Sequence, residues 1–447
     1  MSKILLISSN TSDEPYAVYP LGMSMLASSM AGRGHEVAQF DFLAQGASEQ
    51  ALRRRIVDLA PDFVGISIRN VDNVDSFSSE RAWSLPTNRR IVEVVREETN
   101  APVILGGSGY SLLPGEMLEY LGADYGIVGE GERALGDLIS RLNDAEPSAR
   151  IVSARAQPLD GAAIPGAAWD GGMLDYYRPC SVFGIQTKRG CPFRCAYCTY
   201  PALEGAGLRC REPGAIADDV ERLYASGGIT RFFFTDSVFN DGEGHYLSVA
   251  EEILRRGLPV AWSAFFCPRR IERSTLAFLK RAGLESIEIG TDAASDQTLT
   301  GLAKPFGFDD VLALQDVCRQ VEIPAAHYIM FGGPEETEAS LKEGITNIEH
   351  LRQCVVFGFS GIRLFPGTDL CRRALEEGRL TPEQSLLRPF YYFSPGIDRE
   401  SMERMIKQAF RGRRDRIFPP GEGQMRLKVM HRFGFRGPLW DRLLSFS

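Results

Sequence analysis

The chain is 447 residues long, with 44 % hydrophobic, 24 % charged and 10 % aromatic residues, which excludes a disordered or fibrous protein and allows two or three domain-sized units. Its formal charge of −8 is the wrong sign for a protein that mainly grips nucleic-acid phosphates. No stretch reaches about 18 apolar residues, and the start MSKILLISSN lacks the apolar core and cleavage site of a secretory signal, so the expected compartment is the cytoplasm.

Residues 3–8 read as a buried parallel strand and 21–30 as a helix that ends at Gly32 and Gly34. Strands at 37–42, 63–68, 102–105 and 123–128 alternate with helices at 50–59 and 89–97. Strands apolar on both faces imply a parallel sheet covered by helices, with any ligand outside the carboxyl ends of the strands. This predicts a doubly wound α/β domain over 1–142. Residues 143–180, rich in Ala, Gly, Pro and Asp, read as a linker. A second βα series follows, with strands expected at 183–187, 231–235, 261–265, 286–290, 327–331 and 355–364. Six such units suit a partial βα barrel over 181–380, with its active site at the C-terminal strand ends. The remaining 381–447 is expected to be a helical capping region.

Disulfides are rare in the cytoplasm, so the nine cysteines need another explanation. Cys180, Cys210, Cys267, Cys318, Cys354 and Cys371 are scattered, whereas Cys191, Cys195 and Cys198 crowd into TKRGCPFRCAYCTYP directly after a predicted strand. Three thiolates in one loop hold three irons of a [4Fe–4S] cluster and leave the fourth open, whereas structural zinc wants four protein ligands. The alternative is a zinc knuckle completed by Cys180 or Cys210.

The CxxxCxxC spacing after the first barrel strand, with Tyr197 before its last cysteine, resembles the radical S-adenosylmethionine (SAM) superfamily. That resemblance implies that the open iron chelates the amino and carboxylate groups of SAM and that reductive cleavage gives a 5′-deoxyadenosyl radical. It also implies an external electron donor of the flavodoxin or ferredoxin type. In FFFTDSVFN, Asp236 and Ser237 stand where the superfamily places polar groups near the methionine amino end of SAM; a helix N-cap is the plainer reading. In SIEIGTDAASD, Asp292 stands where a glutamate is more common. MFGGPEET and GIRLFPGTDL resemble the late-strand loops near the SAM ribose and methionine.

The N-terminal domain resembles the cobalamin-binding domain of one large branch of the superfamily, through residues 19–37, SIRNVDN, VILGGSGYSLLP and GIVGEGE. Gly106, Gly107, Ser108 and Gly109 would let the backbone approach a bulky ligand, and Gly129, Glu130 and Gly131 would line its nucleotide tail. The alternative is ordinary turn glycines in a domain without cobalamin. No DxHxxG loop is present, and His35 is the only histidine before residue 200, so cobalamin is expected to bind without a histidine ligand. Arg69 and Asn70 close the third strand, where the resemblance places the corrin face; the SxRNxD run is similar to a subset containing cobalamin-dependent tryptophan methyltransferases. The bland reading pairs Arg69 with Asp72 or Asp75.

The implied function is a cobalamin-dependent radical SAM methyltransferase acting on an unactivated carbon of a small molecule, by a radical or a polar route. The alternatives are a cobalamin-dependent cyclase or carbon-skeleton enzyme, and a cluster-containing binding or RNA-interaction protein. The end of the chain differs in charge, with twelve Lys+Arg and five Asp+Glu over 399–447. Leu439, Trp440, Leu443, Leu444 and Phe446, flanked by Arg436 and Arg442 after Pro438, are expected to cap the barrel's open edge; contact with an anionic membrane surface is the alternative.

Overall fold

The computed structural model describes residues 1–14, 16–145, 149–180, 182–437 and 439–444. Pro438 and Phe446 of the tail cluster, and the Cys180 side chain, lie outside the described part. Strands β1 (Lys3–Ser8), β2 (Glu36–Asp41), β3 (Phe63–Ser67), β4 (Val103–Gly106), β5 (Tyr125–Val128) and β6 (Ile151–Ser153) form one parallel sheet in the order β2-β1-β3-β4-β5-β6. The order reverses at β1 and β3, so the loops after these strands splay apart and leave a crevice at their carboxyl ends. The helix Glu49–Leu59 starts where Ser48 accepts a hydrogen bond from the Ala51 amide, and it buries Leu52, Ile56 and Leu59 against the sheet. Strand β6 corrects the expected end of the sheet at residue 142. It is a short edge strand of three half-exposed or exposed residues, without the apolar run that marks the inner strands.

The second unit contains β7 (Phe183–Ile185), β8 (Lys188–Arg189), β9 (Arg209–Cys210), β10 (Arg231–Phe234), β11 (Ala261–Phe266), β12 (Leu284–Asp292), β13 (Ala325–Phe331), β14 (Cys354–Ser360), β15 (Ile362–Arg363), β16 (Tyr391–Tyr392) and β17 (Arg416–Ile417). Seven of them make a parallel sheet in the order β17-β14-β13-β12-β11-β10-β7, a partial barrel. The single strand expected at 355–364 is broken at Gly361, whose φ of +73° turns the chain. A Cβ there would come within 2.5 Å of the Phe393 ring. β15 then pairs antiparallel with β16 rather than extending β14.

The region after 380 is not purely a helical cap, because β17 adds an outer strand to the barrel sheet. Alternation along the strands puts Ile287, Ile289, Ala325 and Ile329 against the βα helices, and Glu288, Ala326, Tyr328 and Phe357 on the opposite, inner face. Leu427, Leu439, Trp440 and Leu443 pack on that inner face beside Ala326, Val355, Phe357 and Ile417. Leu439 and Trp440 are 1 % and 2 % exposed, so the described part of the tail is committed to the barrel. No helix among the described residues is long and apolar enough to cross a membrane. Trp440→Ala is expected to cost roughly 3–5 kcal/mol, read as a lower thermal midpoint; an unchanged midpoint would contradict this docking.

The two units are joined by buried ion pairs. Arg363 donates to Asp72 at 2.9 Å with both side chains almost fully buried. Arg189 pairs with Glu132 at 2.5 Å, and the Trp83 indole N–H donates to the Leu387 carbonyl at 2.8 Å. These ties set the carboxyl ends of β1, β3 and β4 against the loops of the barrel.

Candidate functional site

The loop carrying Cys191, Cys195 and Cys198 leaves the barrel through the hairpin β8–β9. Gly190 has φ +97°, and a Cβ there would lie 2.0 Å from the Gly207 carbonyl oxygen, so only glycine lets the loop turn back so closely. The Cys191 amide donates to the Gly205 carbonyl at 3.0 Å, the Ala196 amide to the Leu302 carbonyl at 2.9 Å, and the Leu370 amide to the Ala196 carbonyl at 2.8 Å. The loop is therefore strapped to two later barrel loops. Burial raises the Cys195 thiol and pushes Cys198 up to about 12, and binding iron would require both as thiolates.

All three are free thiols. Among the described residues no three His, Cys, Asp or Glu side chains surround a single-ion site, as a zinc knuckle would require. A cubane suits the loop better, because each thiolate binds a separate iron. Cys210 lies in β9, paired with Lys188 across the hairpin.

Asp236 is 1 % exposed and accepts from the Thr187 amide at 2.8 Å, the Lys188 amide at 3.2 Å and the Thr187 hydroxyl. Ser237 donates to the Gly190 carbonyl at 3.0 Å. Both residues fasten the end of β10 to the root of the cysteine loop, which is neither the N-cap nor a free ligand arm. Asp292 has φ +61° at the end of β12. It accepts from the Tyr197 hydroxyl at 2.7 Å and from the Lys304 ammonium, which also donates to the Cys195 sulfur at 3.3 Å.

Lys304 escaped the sequence reading although it is the only charge between Asp296 and Asp309. Burial alone would lower its pKa, but Asp292, Tyr197 and Cys195 outweigh that and hold it well above the lysine range. Cys267 also belongs here. Asn240 holds its backbone by bonds of 2.9 and 2.8 Å, and burial pushes its thiol up to about 11 against the opposing charges of Lys304 and Arg269. Lys304→Met strands a buried carboxylate and is expected to destabilise the chain by roughly 3–5 kcal/mol in denaturant titration. Wild-type stability would mean that the Lys304–Asp292 pair is not formed.

On the facing unit, Gly107 (φ +98°) and Gly109 pack onto the end of β3. Cβ atoms there would lie 2.5 Å from the Ile68 carbonyl oxygen and 3.0 Å from that of Arg69. Ser108 donates to the Arg69 carbonyl at 2.9 Å. A Cβ on Gly106 would meet nothing within 4 Å, so that position faces open space. The Gly129 amide donates to the Ser111 hydroxyl at 3.0 Å, and Gly131 opens the helix Gly131–Asn143. The Glu130 side chain is not available to a ligand. It accepts from Arg209 at 2.5 Å and the Leu159 amide at 2.7 Å, which makes it a tie between the units.

Arg69 is not paired with Asp72 or Asp75. Asp72 is held by Arg363, and Asp75 accepts from the Ser78 hydroxyl at 2.9 Å. The Arg69 Nε is buried and has no hydrogen-bond partner. Burial lowers its pKa, opposed by the nearby Tyr177, Asp41, Tyr16 and Tyr200. Asn70 is exposed beside it, and its carbonyl accepts from Ser84 at 2.9 Å. An orphaned guanidinium nitrogen beside an open glycine edge is a fit for cobalamin on this face. His35 accepts from the Ser2 amide at 3.3 Å at the opposite, amino-terminal end of the sheet. Tyr200, two residues after Cys198, and Arg69 act on each other's charge, which places this face near the cysteine loop.

The B12 binding domain family matches residues 12–139, and the Radical SAM superfamily matches 185–346. The chain carries a B12 binding domain followed by a Radical SAM domain. These two domains make cobalamin and SAM its cofactors. This radical SAM chain is 26 % identical to the tryptophan 2-C-methyltransferase of Streptomyces laurentii, over 84 % of its own length and 74 % of the relative's. It is 23 % identical to the cytidylyl-2-hydroxyethylphosphonate methyltransferase of Streptomyces wedmorensis, over 94 % and 91 %. The solved structure of the radical SAM methyltransferase TsrM from Kitasatospora setae, with cobalamin and [4Fe–4S] cluster bound, superposes with a TM-score of 0.86. That match covers 100 % of this chain and 98 % of the other at 23 % identity, and it shows the shared fold.

Proposed function

We propose that this chain is a cobalamin-dependent radical SAM methyltransferase that delivers a methyl group to an unactivated carbon of a small molecule. The observation that carries the reading is the presence in one chain of a cysteine loop strapped to the barrel loops and, on the other unit, a glycine edge beside the unpartnered Arg69 Nε. When bound, cobalamin supplies a methyl carrier and the cluster an electron for SAM. Cys191, Cys195 and Cys198 would hold three irons of the cluster, on a loop strapped to two later barrel loops. Lys304 and Asp292, fixed by Tyr197, offer one cation and one anion to the carboxylate and ammonium of a SAM methionine. Asp236 and Ser237 hold the loop root rigid.

Gly106, Gly107, Ser108 and Gly109 would form the edge that holds cobalamin, and Gly129 and Gly131 would leave room for its nucleotide tail. Arg69, with its unpartnered Nε at the end of β3, would face the bound cobalamin. The electron comes from an external flavodoxin- or ferredoxin-type donor, and nucleic acid is not a partner of a chain with charge −8. Free thiols suit a reducing cytoplasm.

The test is anaerobic incubation of the chain, reconstituted with iron, sulfide and cobalamin, with SAM and a reductant. S-adenosylhomocysteine that forms only when cobalamin is present is the expected result, with 5′-deoxyadenosine beside it if the route is radical. Formation of neither, in a chain loaded with both groups, overturns the reading. On an identified acceptor, a product heavier by one CH₂ separates methylation from cyclisation.

A further inference from the structure

Glu288 is a carboxylate in an unusual place. It projects from the middle of β12 onto the inner face of the barrel, opposite Phe265 of β11 and Ala326 of β13. It is 7 % exposed, and among the described residues no Lys, Arg or His pairs with it. Its partners are neutral donors, the Tyr328 hydroxyl at 3.0 Å and the Trp440 indole N–H at 3.3 Å. Burial without a cation raises its pKa to about 7. Other buried carboxylates either have a cation, as Asp72 has Arg363, Asp219 has Arg211 and Asp292 has Lys304, or are held by neutral donors away from the inner face of the barrel, as Asp41 by the Tyr177 hydroxyl and Glu336 by the Gly332 amide.

The surroundings are aromatic and open on one side. Phe265 points inward, yet it is 38 % exposed. Its ring centroid lies 5.1 Å from Phe233 and 6.3 Å from Tyr328, which in turn stacks on Phe357 at 5.4 Å and lies 6.4 Å from Phe359. An inward-facing phenylalanine that still touches solvent marks unfilled space beside the carboxylate. Asp292, at the cysteine loop, lies four residues farther along the same strand, a rise of about 13 Å. That span accommodates a ring and a short side chain between the reactive mouth and Glu288. Aromatic faces around a lone carboxylate suit a flat ring carrying an ammonium group.

We propose that Glu288 is the counter-ion for a protonated amine on the methyl acceptor, and that the acceptor is an aromatic amine whose ring lies against Phe265, Tyr328 and Phe359. The inference rests on the methyltransferase reading for the word acceptor, but binding can be measured without turnover. Tyr328 and Trp440 are positioning residues that fix the carboxylate on the inner face of the barrel.

The test is equilibrium dialysis of the full chain, loaded with cobalamin and cluster, against tryptamine and its uncharged isostere 3-propylindole. A second pair, phenethylamine and butylbenzene's shorter homologue propylbenzene, guards against the choice of ring. The expected result is at least tenfold tighter binding of the amine in one pair, reduced to within about twofold by Glu288→Gln. Equal binding of amine and isostere, no binding of either amine, or a preference that survives in Glu288→Gln overturns the proposal. If Glu288→Gln does not fold, the wild-type comparison alone decides. A chain that loads both cofactors and forms S-adenosylhomocysteine yet ignores the amines loses this inference and keeps the methyltransferase reading.

Discussion

Replacing Cys191, Cys195 or Cys198 by alanine is expected to abolish the broad iron–sulfur absorption of the reconstituted chain and to remove most of its iron, whereas Cys318→Ala keeps both. The three thiols share one loop whose backbone is fixed by bonds to Gly205, Leu302 and Leu370. Losing one ligand leaves two, too few to hold a cubane against release. Cys318 lies in the helix Phe308–Val321, fully buried on the far side of the sheet with Cys354 as its neighbour. Added SAM should also perturb the electron paramagnetic resonance spectrum of the reduced wild-type cluster, since one iron stays open. Full iron retention in any triad variant would remove the assignment.

The second large effect is expected at Arg69. In the cobalamin-loaded chain, cob(II)alamin should show a base-off spectrum without nitrogen superhyperfine splitting, because His35 sits at the opposite end of the sheet. Arg69→Ala should change that spectrum while cobalamin stays bound. The guanidinium has an unpartnered Nε at the face, whereas the glycine edge packs on the Arg69 backbone, which alanine preserves. Arg89→Ala provides the contrast, since Arg89 is a helical residue engaged with Glu93 and the Tyr120 ring. An unchanged cobalt spectrum in Arg69→Ala, or nitrogen splitting in the wild type, would contradict the placement.

Much of this architecture is legible in the sequence because parallel strands buried on both faces appear as continuous apolar runs, as in KILLIS or AAHYIMF. The strands that escaped are short edge elements. β6 has three residues and β17 two, so neither has room for a pattern. The break at Gly361 was hidden because its cause, the Phe393 ring, lies 32 residues downstream.

The site divides in the same way. The cysteine spacing is local and readable. The partners of Glu130 and Asp72 are not, since Arg209 is 79 residues away and Arg363 is 291. Those distant cations turn one expected ligand residue into a tie and remove the bland explanation of Arg69. Lys304 and Glu288 were invisible for a related reason. A lone charge in a loop or strand reads as solvated until the fold shows what surrounds it.

The central claim is that one chain holds both metal cofactors, at faces that lie near each other. The most direct measurement is cobalt and iron analysis of a single anaerobically reconstituted and desalted preparation of the full chain. The account predicts one cobalt and about four iron per chain together, with Cys195→Ala losing iron but keeping cobalt. Cobalt that fails to bind the wild type, or iron that stays in Cys195→Ala, would contradict it.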